Sequence, residues 1–163
     1  MKKLFLLFSV LFIITSSCED NYSVTPLTGK ISHIKSGQSF GMCAGKCYQE
    51  MIVENNLATL ILIERKDRGS EEDTLEFRDD TYWKQIKADL DGFSKKKFLK
   101  LQDVYGCPDC ADGGAEWLEV RFSNGTTKRV TFNYGSSVAG FEKIISALRT
   151  HRLSLVEKYR DEL

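Results

Sequence analysis

Two hydrophobic periods alternate along the chain, and the points where one gives way to the other divide it into elements. Residues 29–35 predict a first strand, and "YQEMIVE", Tyr48 to Glu54, predicts a second. Asn55 and Asn56 separate it from "LATLILIER", Leu57 to Arg65, and a two-residue Asn-Asn connection suits the left-handed dihedrals of a tight hairpin. In that pairing Met51 and Val53 share a face with Ala58, Leu60 and Leu62. Ile61 and Ile63 point the other way, which predicts a central third strand covered on both sides. Beyond the turn "KDRGSEE", the stretch "DTLEFR" predicts a fourth strand with Leu75 and Phe77 inward.

The period then lengthens. Asp79, Asp80 and Thr81 offer N-caps, while Trp83, Ile86 and Leu90 recur at helical spacing and Gly92 stands where a left-handed C-terminal residue is wanted. This predicts an amphipathic helix of about three turns with Trp83 on its apolar stripe. A shorter helical turn is expected over Ser94–Lys100.

"EWLEVRF" and "TKRVTFNY" follow, flanking "SNG". For Leu118, Val120 and Phe122 to share an inner face with Val130, Phe132 and Tyr134, paired residue numbers must have an even sum. A two-residue Asn-Gly loop pairs Ser123 with Thr126, an odd sum. The loop is therefore expected to be Ser123, Asn124 and Gly125, with Gly125 in the left-handed position of a bulged type I turn. Val138, Phe141, Ile144, Ile145 and Leu148 form a last helical stripe behind a cap at Ser136 or Ser137, with helix resuming through Leu155 and Tyr159. The order ββββαββα predicts an α+β fold: a single antiparallel sheet of about five or six strands with helices packed on one face.

The N-terminus obeys a different pattern. Lys2 and Lys3 precede an apolar run from Leu4 to Ile14, the arrangement of a secretory signal over residues 1–17. At ~1.5 Å per residue that run covers only about half of a bilayer's hydrocarbon core, too little for a transmembrane helix. "ITSSCED" resembles the lipobox of bacterial lipoproteins, in which the cysteine behind two small residues is acylated and becomes the mature N-terminus; here it is Cys18, with Thr15 where Leu is usual. Residues 18–28, polar and proline-containing, read as a flexible tether to one domain over 29–163. Glu19 and Asp20 resemble an acidic signal for export to the outer face of the outer membrane. The terminal "RDEL" resembles an ER-retention tetrapeptide, a reading that leaves Cys18 at the signal junction without a purpose.

Charge narrows the partners. The chain has 23 Lys and Arg against 23 Asp and Glu, and two of the lysines fall in the signal, so the remainder is slightly acidic. Nucleic acid and electrostatic membrane binding are excluded as main partners. The one basic cluster, "KKKFLK" at Lys95–Lys100, reads as a solvated face. His33 and His151 read as surface residues, since no nucleophile elbow or zinc-protease helix accompanies them. "FGMCAGKC" lacks the ending and the following helix of a phosphate loop.

Four cysteines carry the remaining chemistry: Cys43 and Cys47 as CxxxC, Cys107 and Cys110 as CxxC. In an oxidising compartment such spacings point to structural disulfides, in a reducing one to a four-thiolate zinc site. The CPDC segment also invites a redox reading, but Asp112, Gly113 and Gly114 and then a strand follow it, where an oxidoreductase has a helix. Asp109, Asp112 and Glu116 raise a calcium loop, which fails every diagnostic spacing of the EF-hand. All three connectivities of four cysteines stay open, and chain entropy favours crossed bridges, at ~4 kcal/mol against ~2 for local rings.

"SFGMCAGKC" and "GCPDCADGGAEW", each followed by a strand and set behind a lipoprotein signal, resemble uncharacterised Bacteroidetes lipoproteins over roughly residues 29–148. The resemblance implies local pairing, Cys43 with Cys47 and Cys107 with Cys110, because such proteins carry a CxxxC pair without a second pair; Gly41, Gly45 and Gly106 permit the tight turns. "DTL" at Asp73–Leu75 resembles the O-glycosylation sequon of those bacteria. No activity and no cofactor are implied. The expectation is an outer-membrane-anchored envelope lipoprotein serving as a non-catalytic binding or assembly module, its partners the membrane through its lipid and an unidentified envelope protein or ligand. The alternative is a thiol-active or metal-binding periplasmic protein that uses the four cysteines.

Overall fold

The computed structural model describes residues 29–65 and 72–162, so the signal segment, Cys18, the tether and most of the "KDRGSEE" turn lie outside the described residues. Among the described residues are β1 (Ile31–Ser39), β2 (Gly45–Glu54), β3 (Leu57–Arg65), β4 (Glu72–Asp79), α1 (Trp83–Asp89), α2 (Lys95–Phe98), β5 (Val104–Tyr105), β6 (Ala115–Phe122), β7 (Thr127–Asn133) and α3 (Glu142–Lys158). The fold is α+β as expected, with seven strands rather than five or six, in the order β4-β3-β2-β1-β6-β7-β5. The additional strand, β5, is two residues long and pairs parallel to β7, so the sheet is not wholly antiparallel. Two residues carry no period, which is why the pattern missed it.

The β2–β3 hairpin has the expected register, Met51 opposite Leu60 and Val53 opposite Ala58, with Asn55 and Asn56 both at positive φ. The β6–β7 loop is also as expected. Phe122 N–H donates to Thr126 O at 2.8 Å, Leu118 stands opposite Val130, and Gly125 has φ +86°. The even-sum register follows from burying one face.

Four details differ from the pattern. The strand β1 runs on to Ser39 and pairs with both β2 and β6, joining the two halves of the sheet. Ile61 and Ile63 are only half-buried, because β3 sits one strand from the edge and no helix among the described residues covers that face. Tyr134 is exposed rather than inward, since β7 ends at Asn133 and the chain turns at Gly135. The first helix has two turns, not three; its N-cap position is Tyr82 with no side-chain cap, while the Asp79 carboxylate accepts the Thr81 N–H at 2.8 Å.

The last helix is continuous and starts at Glu142. Ser136 does not cap it, because its hydroxyl donates to Asn133 O at 2.6 Å. Val138 and Phe141 are buried in the approach to the helix, and Ile144, Ile145, Leu148 and Leu155 pack beneath the sheet with Ile86 and Phe98. Both longer helices thus lie on one face, as expected of an α+β layer. Each fully buried aliphatic or aromatic side chain stabilises by about 1.5–3 kcal/mol.

Gly125 leaves a testable mark on stability. Gly125→Val should lower the unfolding free energy by about 1 kcal/mol or more in urea denaturation, because a β-branched residue is strained at positive φ. An unchanged midpoint would mean that the left-handed turn is not required.

Candidate functional site

Two short cross-linked loops meet at one end of the sheet. After Ser39 the chain makes a loop and re-enters the sheet at Gly45, and Cys43 is bonded to Cys47 across it with a Cα–Cα distance of 5.7 Å. On the other side of β1, the segment between β5 and β6 carries the Cys107–Cys110 disulfide, Cα–Cα 5.4 Å. Both distances fall within the disulfide range. Both pairings are local, against the preference of chain entropy, because each loop's own turn already brings its cysteines within reach.

The second loop is bent by left-handed residues. Asp109, Ala111 and Asp112 have φ of 60°, 51° and 58°, between Gly106 and Gly114 at 76°. The conformation costs roughly 1–2 kcal/mol at a residue such as Ala111, which lacks the local side-chain hydrogen bonds open to Asp. The surrounding contacts hold it there. Asp109 Oδ1 accepts the Gly41 N–H at 3.2 Å, and Asn133 Oδ1 accepts the Cys107 N–H at 2.8 Å. Gly114 O accepts from Asp109 N–H at 3.0 Å and from Tyr134 N–H at 3.3 Å.

These bonds mount an apolar patch. The Phe40 ring lies against Gly114 and meets Tyr134 edge-on at 4.8 Å between centroids. Tyr134 is 46% exposed, and Met42, on the first loop, is 58% exposed.

Beneath the patch lies a buried ion network. Glu116 of β6 is 2% exposed and Arg152 of α3 is 1% exposed. Arg152 Nη2 donates to Glu116 Oε1 and to Gln38 Oε1, each at 2.7 Å, and Nη1 donates to Ser36 Oγ at 2.9 Å. Arg149 donates to both oxygens of Glu116 through Nε and Nη2 at 2.6–3.0 Å, and to Ser136 O. The Gly135 N–H completes the set at 2.9 Å. Burial alone would raise the Glu116 pKa, but the bonds from Arg149, Arg152 and Gly135 outweigh it and hold the carboxyl below its ordinary range. Burial pushes the Arg152 pKa down, against the pull of Glu116.

His151 and His33 are placed otherwise than expected, and the calcium and zinc readings gain no support. Glu116 is bound to two arginines inside the fold and Asp109 to the neighbouring loop, so Asp109, Asp112 and Glu116 do not form a calcium loop. The cysteines are oxidised in pairs and offer no four-thiolate zinc site. Among the described residues no three His, Cys, Asp or Glu side chains gather for a metal ion. His151 is buried rather than on the surface, with Nε2 2.8 Å from Asp89 Oδ2. His33 is half-buried between Glu54 at 3.8 Å and Glu119 at 3.7 Å. Arg152 had a legible signal: it stands four residues after Leu148 and three before Leu155, on the apolar stripe itself.

On the helix-free face, the buried indole of Trp117 lies flat over Gly37, where an added Cβ would meet the ring at 2.2 Å. Its Nε1–H donates to Glu50 Oε2 at 3.0 Å, and Lys35 Nζ donates to Glu50 Oε1 at 3.2 Å. The Arg129 guanidinium covers the indole at 5.2 Å, and Tyr48 packs beside it at 5.3 Å. Burial, reinforced by Glu50, pushes the Tyr48 phenol well above its ordinary pKa. In this layer Glu50 is paired with both Trp117 and Lys35, whereas the stapled end leaves Met42 and Tyr134 open to solvent.

No protein-family model matches the chain, and neither a curated protein nor a solved structure matches it.

Removing the Glu116 charge tests the network. Glu116→Gln should destabilise by about 3–5 kcal/mol, since it strands two guanidinium groups in or near the core. A carboxyl whose folded pKa is depressed contributes stability above its unfolded value of about 4.3, and that contribution is lost as pH falls. Asp79, whose pKa the Lys158 and Thr81 bonds lower to about 2 despite burial, acts in the same direction. Urea unfolding from pH 7 to pH 3 should therefore show a steep loss in the parent and a shallower one in Glu116→Gln; parallel profiles would contradict the assignment.

Proposed function

We propose that this protein is a bacterial envelope lipoprotein, acylated at Cys18 and held at the outer membrane, whose domain is a non-catalytic module that binds or assembles with another envelope component. The stapled end of the sheet is the binding surface. The carrying observation is the Phe40–Tyr134 contact mounted on Gly114, with exposed Met42 nearby in sequence, at the end of the sheet where two disulfide-closed loops meet, an arrangement that lowers the ordering cost of association. The two disulfides agree with an exported protein, because oxidising compartments preserve them. The signal-like segment ending at Cys18 supplies the route and the anchor.

Anchoring and binding are tested separately. Cys18→Ser, followed by fractionation and labelling with a fatty-acid probe, should abolish label and leave a precursor in place of the mature membrane-bound form; label and retention equal to the parent would overturn lipidation. A photo-crosslinking residue at Met42 should give a discrete adduct in intact cells that is lost on Tyr134→Glu, while the same residue at exposed Leu153 on α3 should not. Equal adducts at both positions, or none at Met42, would overturn the choice of surface.

A further inference from the structure

The two disulfides differ in their access to solvent. Cys47 is 3% exposed at the start of β2 and Cys43 is half-buried, whereas Cys107 and Cys110 are both exposed. Thiol exchange requires a thiolate to reach a sulfur from outside, so access separates the two bonds before any other factor. The loop that carries the exposed bond also has its own restoring tendency. Asp109, Ala111 and Asp112 all sit at positive φ, and the Cys107–Cys110 ring encloses the first of them and borders the other two. Opening the ring removes its constraint on Asp109, whose φ can then return to an ordinary region.

We propose that Cys107–Cys110 is a reversible thiol-exchange site, reduced by a dithiol protein of the envelope, and that opening it slackens the apolar patch. In the first step a thiolate of the external dithiol attacks one sulfur. The Cys107–Cys110 bond breaks, a mixed disulfide forms, and the departing thiolate takes up the proton released by the attacking thiol. The second external thiol then attacks the mixed disulfide, leaving Cys107 and Cys110 as thiols and the external pair oxidised by two electrons. Cys43–Cys47 stays closed throughout. Cys107 opens no helix and Cys110 opens only a three-residue 3-10 turn broken by left-handed Ala111, so no α-helix dipole stabilises a thiolate; the pair receives electrons and does not act as the oxidoreductase.

The consequence for the surface follows from the contacts. Asp109 holds the Gly41 N–H, and Gly114 both carries the Phe40 ring and accepts the Tyr134 N–H. Asp109 lies inside the ring that the disulfide closes, and its own N–H donates to Gly114 O at 3.0 Å, so the ring reaches the Gly114 supports through Asp109. Reduction loosens the mounting of Phe40 and Tyr134 without touching the sheet, because the β6–β7 register and the Glu116–Arg152 pair lie outside the ring.

The test uses the full chain in detergent with dithiothreitol as the probe dithiol, and does not depend on what Cys18 carries or what the patch binds. Partial reduction, quenching with iodoacetamide and peptide mass mapping should find Cys107 and Cys110 alkylated on the order of ten-fold faster than Cys43 and Cys47. Equal rates, or earlier opening of Cys43–Cys47, would overturn the exchange site. Hydrogen exchange of the selectively reduced protein should quicken at the Gly41 and Tyr134 amides and stay unchanged at Leu118. A Cys107→Ser, Cys110→Ser double variant should show the same pattern without reductant. Unchanged Gly41 and Tyr134 exchange in both would overturn the coupling to the patch.

Discussion

Burying the guanidinium of Arg152 under the middle of the sheet constrains almost everything around it. An unpaired charge there would be prohibitive, and removing a single partner of such a pair costs several kcal/mol. Its partners come from two strands, Ser36 and Gln38 on β1 and Glu116 on β6, so that α3 is tied to both. A one-residue slip of β1 would turn Ser36 and Gln38 to the helix-free face and leave Arg152 without them. As a source of net stability the network is weak, because desolvation consumes most of the attraction. As a penalty on wrong registers it is strong, and β1 is the strand whose register joins the two halves of the sheet.

The same network reaches the stapled end. Glu116 accepts the Gly135 N–H and Arg149 donates to Ser136 O, so the turn after β7 is tied to α3 directly below Tyr134. From above, the Cys107–Cys110 loop holds Tyr134 through its backbone and Phe40 through Gly114. The apolar patch is thus held by a charged layer inside the fold and by covalent ties outside it. One anchor is insensitive to reductant and the other is not, which makes the loop the adjustable support.

The two sheet faces are closed by different physics. Helices α1, α2 and α3 cover one face with apolar side chains. On the other, Trp117 over Gly37, flanked by Tyr48 and Arg129 and bonded to Glu50, covers the middle of the sheet with side chains of the sheet itself. At the β4 edge, exposed Glu76 and Arg78 place charge along the strand, a common defence against pairing with another chain.

How much of this was legible depended on how far apart the interacting residues stand. The Asn55-Asn56 hairpin, the three-residue loop ending at Gly125, the apolar stripe of α3 and the α+β layering were determined by the sequence alone, because turn dihedrals and hydrophobic period act within a few residues. The segment at Cys18 and the four-cysteine spacing likewise set the chemistry available. Other features were decided only by tertiary structure. Polar Ser36 and Gln38 cut short the apparent strand β1, and only the arrival of Arg152 from 114 and 116 positions away explains their burial. Strand β5 exists because β7 offers it an edge, and its two residues have no period of their own. The disulfides pair locally, as the resemblance implied and against chain entropy, because in the folded chain each loop's turn presents its two cysteines to each other. Local propensity is written within a window of residues, whereas the identity of a long-range partner is settled only when the chain closes on itself.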